Sequence, residues 1–170
     1  MDTTLEPIVR SLQAEFGAKA EEFRGDVHVF VPAGHIVDVL TALRDRHTFK
    51  LLSTMTAVDY WPQETPRFHV VYILQSHAKN ASILVRVPVD GSQPEVPTAS
   101  GVFASAVWRE REIWDMFGIR FAGNPDPRRI LMPPDYEGHP LRKDHTLGYE
   151  EPQFTFNFEE IDLGKPYAKE

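Results

Sequence analysis

Residues 108–147 read WREREIWDMFGIRFAGNPDPRRILMPPDYEGHPLRKDHTL, and the rest of the chain is best understood outward from them. The stretch opens as a charged helix, passes Gly118 and becomes a proline-broken arm. Between Arg109 and Asp144 seven Lys or Arg are matched by seven Asp or Glu, so the net charge of −7 lies wholly outside this stretch. Five of the 14 prolines fall between Pro125 and Pro140, a density that forbids both helix and central strand. The arm must therefore be extended, yet it carries Ile130, Leu131, Met132, Tyr136 and Leu141. Apolar residues on a segment that cannot build its own core are expected to lie against another surface. Balanced, dense charge suits ion pairing with a neighbour better than catalysis in a pocket.

Upstream, periodicity gives an α+β pattern. Leu5, Ile8, Val9, Leu12 and Phe16 predict a helix over 4–16, stopped by Gly17. Val27, Val29 and Val31 alternate as a strand ended by Pro32. Ile36, Val37, Leu40 and Leu43 predict a second helix to about Arg46. Three strands are expected over 50–60, 68–74 and 83–87, the last two joined by a polar hairpin over 76–81. The fold class is thus a two-layer α+β domain with helices on one face of a mixed sheet, over residues 1–89. A linker at 90–98, DGSQPEVPT, separates it from a motif helix and docking arm at 99–147. That helix is expected over about 102–117, with Arg109–Glu112 and Arg111–Asp115 paired on its surface. Residues 148–170 form an acidic tail with Phe154, Phe156 and Phe158 in alternation, either loosely ordered or a strap onto a partner.

Composition excludes several classes. The 170 residues hold no cysteine, so they offer no disulfide, thiolate nucleophile or thiolate ligand for an iron–sulfur cluster. Acidic balance without a basic face argues against nucleic-acid binding. No apolar run reaches the roughly 18 residues of a membrane span, and the N-terminus lacks a signal-peptide pattern, so a soluble, cytosol-facing protein is expected. Neither a G-x-G-x-x-G fingerprint nor a P-loop is present.

Four blocks in order carry a resemblance: Ala57-Val58-Asp59-Tyr60 with the strand Arg67–Tyr72; Glu110-Arg111-Glu112-Ile113-Trp114-Asp115-Met116-Phe117-Gly118-Ile119; Arg128-Arg129-Ile130-Leu131-Met132-Pro133; and Gly138-His139-Pro140-Leu141-Arg142-Lys143-Asp144. Together they resemble the thirty-kilodalton subunit family, also called the C subunit, of the proton-pumping NADH:quinone oxidoreductase, respiratory complex I. The resemblance implies a peripheral-arm protein on the cytoplasmic face of the membrane, beside the forty-nine-kilodalton quinone-site subunit. It also implies no cofactor on this chain, with FMN, iron–sulfur clusters and quinone on other subunits. A ferredoxin- or F420H2-driven quinone oxidoreductase, or a hydrogenase-type relative, would use the same chain.

The partner-binding residues expected on this reading are Glu110, Arg111, Glu112, Asp115, Arg128, Arg129, Ile130, Leu131, His139, Arg142, Lys143 and Asp144. Arg128 and Arg129 are expected to pair with carboxylates of a neighbour, or with the chain's own Glu110 and Glu112. A solvated helix face is the plainer reading of Glu110, Arg111, Glu112 and Asp115. The contrasting reading is a small metal-dependent hydrolase using His139, Asp144 and His145, whose spacing matches no zinc pattern.

Overall fold

The structure, a computed structural model, describes residues 4–146. Its first helix, α1 (Glu6–Phe16), starts with Pro7 in the first turn and stops at Gly17, whose φ of 64° is the left-handed conformation a C-cap needs. Ile8, Val9 and Leu12 are its buried stripe. Strands β1 (Lys19–Phe23) and β2 (Asp26–Phe30) form an antiparallel hairpin. Arg24 and Gly25, both with positive φ, supply the two-residue turn that matches the twist of such a ribbon. The 4–16 and 26–31 expectations hold; β1 was not expected. Its side chains are almost all exposed, so it carries no alternation to read.

A 3-10 turn (Ala33–His35) leads into α2 (Ile36–Asp45), which buries Ile36, Val39, Leu40, Ala42 and Leu43. Strands β3 (Leu51–Asp59), β4 (Phe68–Ser76) and β5 (Ala81–Val89) follow as an antiparallel meander, with the expected hairpin at 76–81. The sheet order is β1-β2-β5-β4-β3, and only β2 and β5 run parallel. One face, carrying Val29, Val70, Tyr72, Leu74, Val85 and Val87, is buried with α1 and α2 in a single core. The other face carries His28, Phe30, His69, Ile73 and Arg86 and stays partly open. The α+β class with a mixed sheet is as expected.

Two expectations fail beyond β5. The linker is not featureless: Glu95–Pro97 is a short strand, β6, pairing in parallel with β7 (Arg120–Ala122). Three-residue strands are too short to show a period, which is why composition read as loop. The helix, α3, runs Ala106–Phe117, and residues 102–105 form turns before it. Phe103, Ala106, Ile113, Met116 and Phe117 of this region join the sheet's core cluster, so α3 packs on the same core. The tail at 148–170 lies outside the described residues.

Candidate docking site

An irregular arm cannot satisfy its own backbone, so its N–H and C=O groups need partners from elsewhere. Here α3 supplies them from its charged side chains. Asp115 has no exposed surface, and its Oδ2 accepts the successive N–H groups of Ile130, Leu131 and Met132 at 3.0, 2.8 and 2.9 Å. Its Oδ1 receives Arg129 Nη1 at 2.6 Å. Burial alone would push this carboxyl up, but three N–H donors and a guanidinium hold it down at about 2. Arg129 reaches onward to the carbonyls of Tyr136 (2.7 Å) and Gly138 (3.1 Å), so one buried carboxylate and one arginine fold the arm back over the helix end.

Arg111 works in the opposite polarity. Its Nε and Nη2 donate to the carbonyls of Arg128 and Arg129, both at 3.0 Å, while Nη1 pairs with Asp126 at 3.1 Å. Trp108 packs on this guanidinium, 5.1 Å from ring centroid to Cζ. Beyond Gly118, His139 Nδ1 donates to the Asp115 carbonyl at 3.0 Å, and Arg142 Nε donates to the Phe117 carbonyl at 2.6 Å. These are the orphan carbonyls of a helix C-terminus, met by side chains of the arm. Gly118 makes the approach possible: a Cβ there would come within 2.5 Å of the His139 ring.

The far end of the arm is fixed by residues absent from the expected set. Arg67, almost fully buried, holds Asp59 through Nε and Nη2 at 3.1 Å each, and Asp144 at 2.6 and 3.0 Å. Asp59 also accepts the N–H of Lys143 at 2.9 Å and of Trp61 at 2.9 Å. Burial would push the Asp59 carboxyl up, but Arg67 and these two N–H groups bring it below its usual range; the Arg67 bond does the same for Asp144. Asp59 and Arg67 flank a loop rich in proline; both lie in the first block of the family resemblance, and a carboxylate ending an otherwise apolar strand was a further signal.

Glu110 belongs to a separate cluster. It has no exposed surface and accepts from Thr98 Oγ1 (2.6 Å), the Ala99 N–H (2.7 Å) and Asn124 Nδ2 (2.7 Å), with no cation in contact among the described residues. Burial therefore pushes its carboxyl up despite those donors. It ties the β6 end to the turn after β7, behind a cleft of about 420 Å³ that Trp114, Arg120 and Phe121 also line.

Several expectations are corrected by this geometry. Arg111 does not pair with Asp115, nor Arg109 with Glu112; the arm takes both Arg111 and Asp115 instead. Glu110, Arg111 and Asp115 are not a solvated face; they are buried. Arg128 pairs with Asp126 (2.6 Å) and Arg129 with Asp115, neither with Glu110 or Glu112. The hydrolase triad is not brought together: His139 is on the Asp115 carbonyl, Asp144 on Arg67, and His145 shares a hydrogen bond with the Tyr136 hydroxyl at 3.0 Å. Among the described residues no group of three His, Asp or Glu could hold a metal ion.

What remains outward mixes apolar and charged side chains. Trp108 (60% exposed), Leu131 (60%), Leu141 (55%) and Ile130 (39%) face solvent, while Glu112, Arg128 and Lys143 stand exposed among them. Of the residues expected to bind a partner, Glu112, Arg128, Ile130, Leu131, Lys143 and Asp144 are exposed. Glu110, Arg111 and Asp115 are buried, and Arg129, His139 and Arg142 are half-buried.

The chain is similar to known proteins over most of its length. The C subunit of NADH-quinone oxidoreductase from Roseiflexus sp. (strain RS-1) is 50% identical over 151 residues, covering 88% of this chain and 86% of that one. The protein of the same name from Geobacter sulfurreducens is 40% identical over 142 residues, covering 82% and 88%. Among solved structures, a trypsin-resistant fragment of Nqo5 matches with a TM-score of 0.64 and 32% identity, over 73% of this chain and 99% of the fragment. A chain in the membrane-bound sulfane sulfur reductase, an archaeal respiratory membrane complex, matches with a TM-score of 0.71 and 25% identity, over 97% and 95%. Among the described residues no helix is long and apolar enough to cross a membrane. The model of the family described as respiratory-chain NADH dehydrogenase, 30 kDa subunit, matches residues 29–151, and the chain belongs to that family.

Proposed function

We propose that this chain is a cofactor-free structural and assembly subunit in the peripheral arm of a proton-translocating NADH:quinone oxidoreductase. It sits on the cytoplasmic face and docks beside the forty-nine-kilodalton quinone-site subunit, while FMN, iron–sulfur clusters and quinone are carried by other subunits. One observation carries this reading: the arm is clamped from beneath by buried charge and presents Ile130, Leu131, Leu141 and Trp108 outward. A ribbon held rigid before assembly loses little conformational entropy when covered, which is how preorganisation strengthens an interface. The chain's relatives bear the name of a component of such an enzyme, which supports the same machine.

The test is a photo-crosslinker at Leu131 in the purified complex, with the crosslinked product sequenced. Crosslinking to the quinone-site subunit supports the docking proposed; a product confined to this chain contradicts it. The purified chain alone is expected to turn over neither NADH nor quinone and to show no visible absorbance, and robust activity from it would refute the non-catalytic role.

A second reading keeps the structural role in a different electron-transfer machine. The match to a chain of a sulfane sulfur reductase complex favours it. Identifying the electron-input subunits that co-purify with this chain separates the two.

A further inference from the structure

The face of the sheet turned away from the helices has features the arm does not explain. Register places Phe30 of β2, Arg86 of β5 and Val71 of β4 side by side, with His28 two residues before Phe30 and His69 two before Val71. Phe30 and His69 meet edge-to-face at 5.9 Å across Arg86, and Tyr60 packs on His69 at 4.8 Å. Phe23, 60% exposed, stands over His28 at 6.4 Å. Together these side chains wall a groove of about 390 Å³, with Glu21 and Glu22 of β1 at its outer edge.

The polar groups on its floor are incomplete. Arg86 donates from Nη1 to the Tyr60 hydroxyl at 3.1 Å, but its Nε is buried with no partner, and so is His69 Nδ1. No carboxylate forms an ion pair with this guanidinium among the described residues, unlike Arg67, Arg111 and Arg129, each of which has one. Buried polar groups are satisfied in the great majority of cases, so an unpartnered Arg86 N–H beside an unpartnered His69 ring nitrogen marks unmet hydrogen-bonding capacity on the floor of this groove. Burial and the neighbouring Arg86 charge push both His28 and His69 down, which leaves Arg86 as the cation on the floor. Arginine set among aromatics is also the composition of interface anchor points.

We propose that this groove is a second docking surface, which receives an extended segment of another subunit of the complex, its carboxylate on Arg86 and its flanking apolar side chains against Phe23, Phe30 and Tyr60. Charge complementarity at the floor selects that occupant: among the described residues the Arg86 guanidinium has no ion-pair partner, the Glu21 and Glu22 carboxylates belonging to edge strand β1, so the bottom of this aromatic trough takes one acidic residue with apolar neighbours. The surface lies on the face of the sheet opposite the helices. The inference rests on the complex membership argued above.

The experiment places a benzoylphenylalanine crosslinker at Phe23, and in a parallel preparation at Leu131, in the complex purified in mild detergent. The expected result is a Phe23 product whose sequenced partner peptide belongs to another subunit and holds an Asp or Glu beside apolar residues. Its yield should fall at least threefold in Arg86→Gln, while the Leu131 product is unchanged and so reports an intact, assembled chain. A Phe23 product confined to this chain, including its segment 147–170, overturns the proposal, as does a partner peptide without a carboxylate, or a yield indifferent to Arg86→Gln. Crosslinking from Leu131 without crosslinking from Phe23 removes the groove and spares the arm; absence of both removes the docking reading as well.

Discussion

Replacing Asp115 with asparagine keeps the shape of the side chain and removes the charge that holds the arm. The carboxyl is held at about 2 against an ordinary 3.8, which corresponds to about 2 kcal/mol of stabilisation at neutral pH. This is below the roughly 3–5 kcal/mol for stripping one partner from a buried pair. The gap is reasonable, because Arg129 keeps the Tyr136 and Gly138 carbonyls as acceptors. The loss should appear as local opening of the arm, since the sheet core makes no use of Asp115. At about tenfold per 1.4 kcal/mol, amide exchange at Ile130, Leu131 and Met132 should accelerate by roughly 30-fold in Asp115→Asn. Acid offers an independent arm of the same experiment. A carboxyl with a depressed folded value contributes above its ordinary value and loses that contribution as pH falls from about 4 to about 2. Asp59, Asp126 and Asp144 shift in the same direction, so the difference between parent and Asp115→Asn isolates this residue. That difference should close over the window. Exchange at the three amides within twofold of the parent at neutral pH would refute the clamp.

Other outcomes follow from the same geometry. Gly118→Ala forces a left-handed φ of 73° on a residue with a Cβ and drives that Cβ into His139; about 1–2 kcal/mol of stability should be lost in chemical denaturation. Arg67→Met leaves Asp59 buried without its cation and should cost about 3–5 kcal/mol, read as a lowered denaturation midpoint. Glu110 has a folded value raised by burial, so its contribution is fully present at low pH and is lost as pH rises through that raised value. Glu110→Gln should therefore gain on the parent as pH rises from below 4.5, and denaturation at several pH values checks the sign.

The sheet was legible because its buried strands alternate cleanly: Val27, Val29 and Val31, or Ile83, Val85 and Val87, have no other reason to repeat every second residue. The edge strand β1 was illegible for the converse reason, being wet on nearly every side chain. The charged arm was legible as an element but misleading in its detail. Helical spacing puts Arg111 and Asp115 four apart, and local geometry favours their pairing. The arm offers Asp115 three N–H groups and a guanidinium at once, which outweighs one surface ion pair. Spacing along one helix cannot reveal a segment that returns from 14 residues away or more. The same limit hid Arg67 and Asp59, whose partners Asp144 and Lys143 are 77 and 84 residues distant. Of the apolar residues on the arm, Leu131 and Leu141 are turned outward, while Met132 packs against the chain's own core.

The outward face of the arm can be challenged with Leu131→Asp, a change at a side chain with 60% of its surface exposed. The isolated variant should unfold within about 0.5 kcal/mol of the parent, as surface substitutions do. In membranes from cells carrying it, recovery of the chain within the purified complex should fall at least tenfold. Full recovery with the parent's stoichiometry would mean that nothing covers this ribbon, and that the buried charges beneath it serve only the chain's own fold.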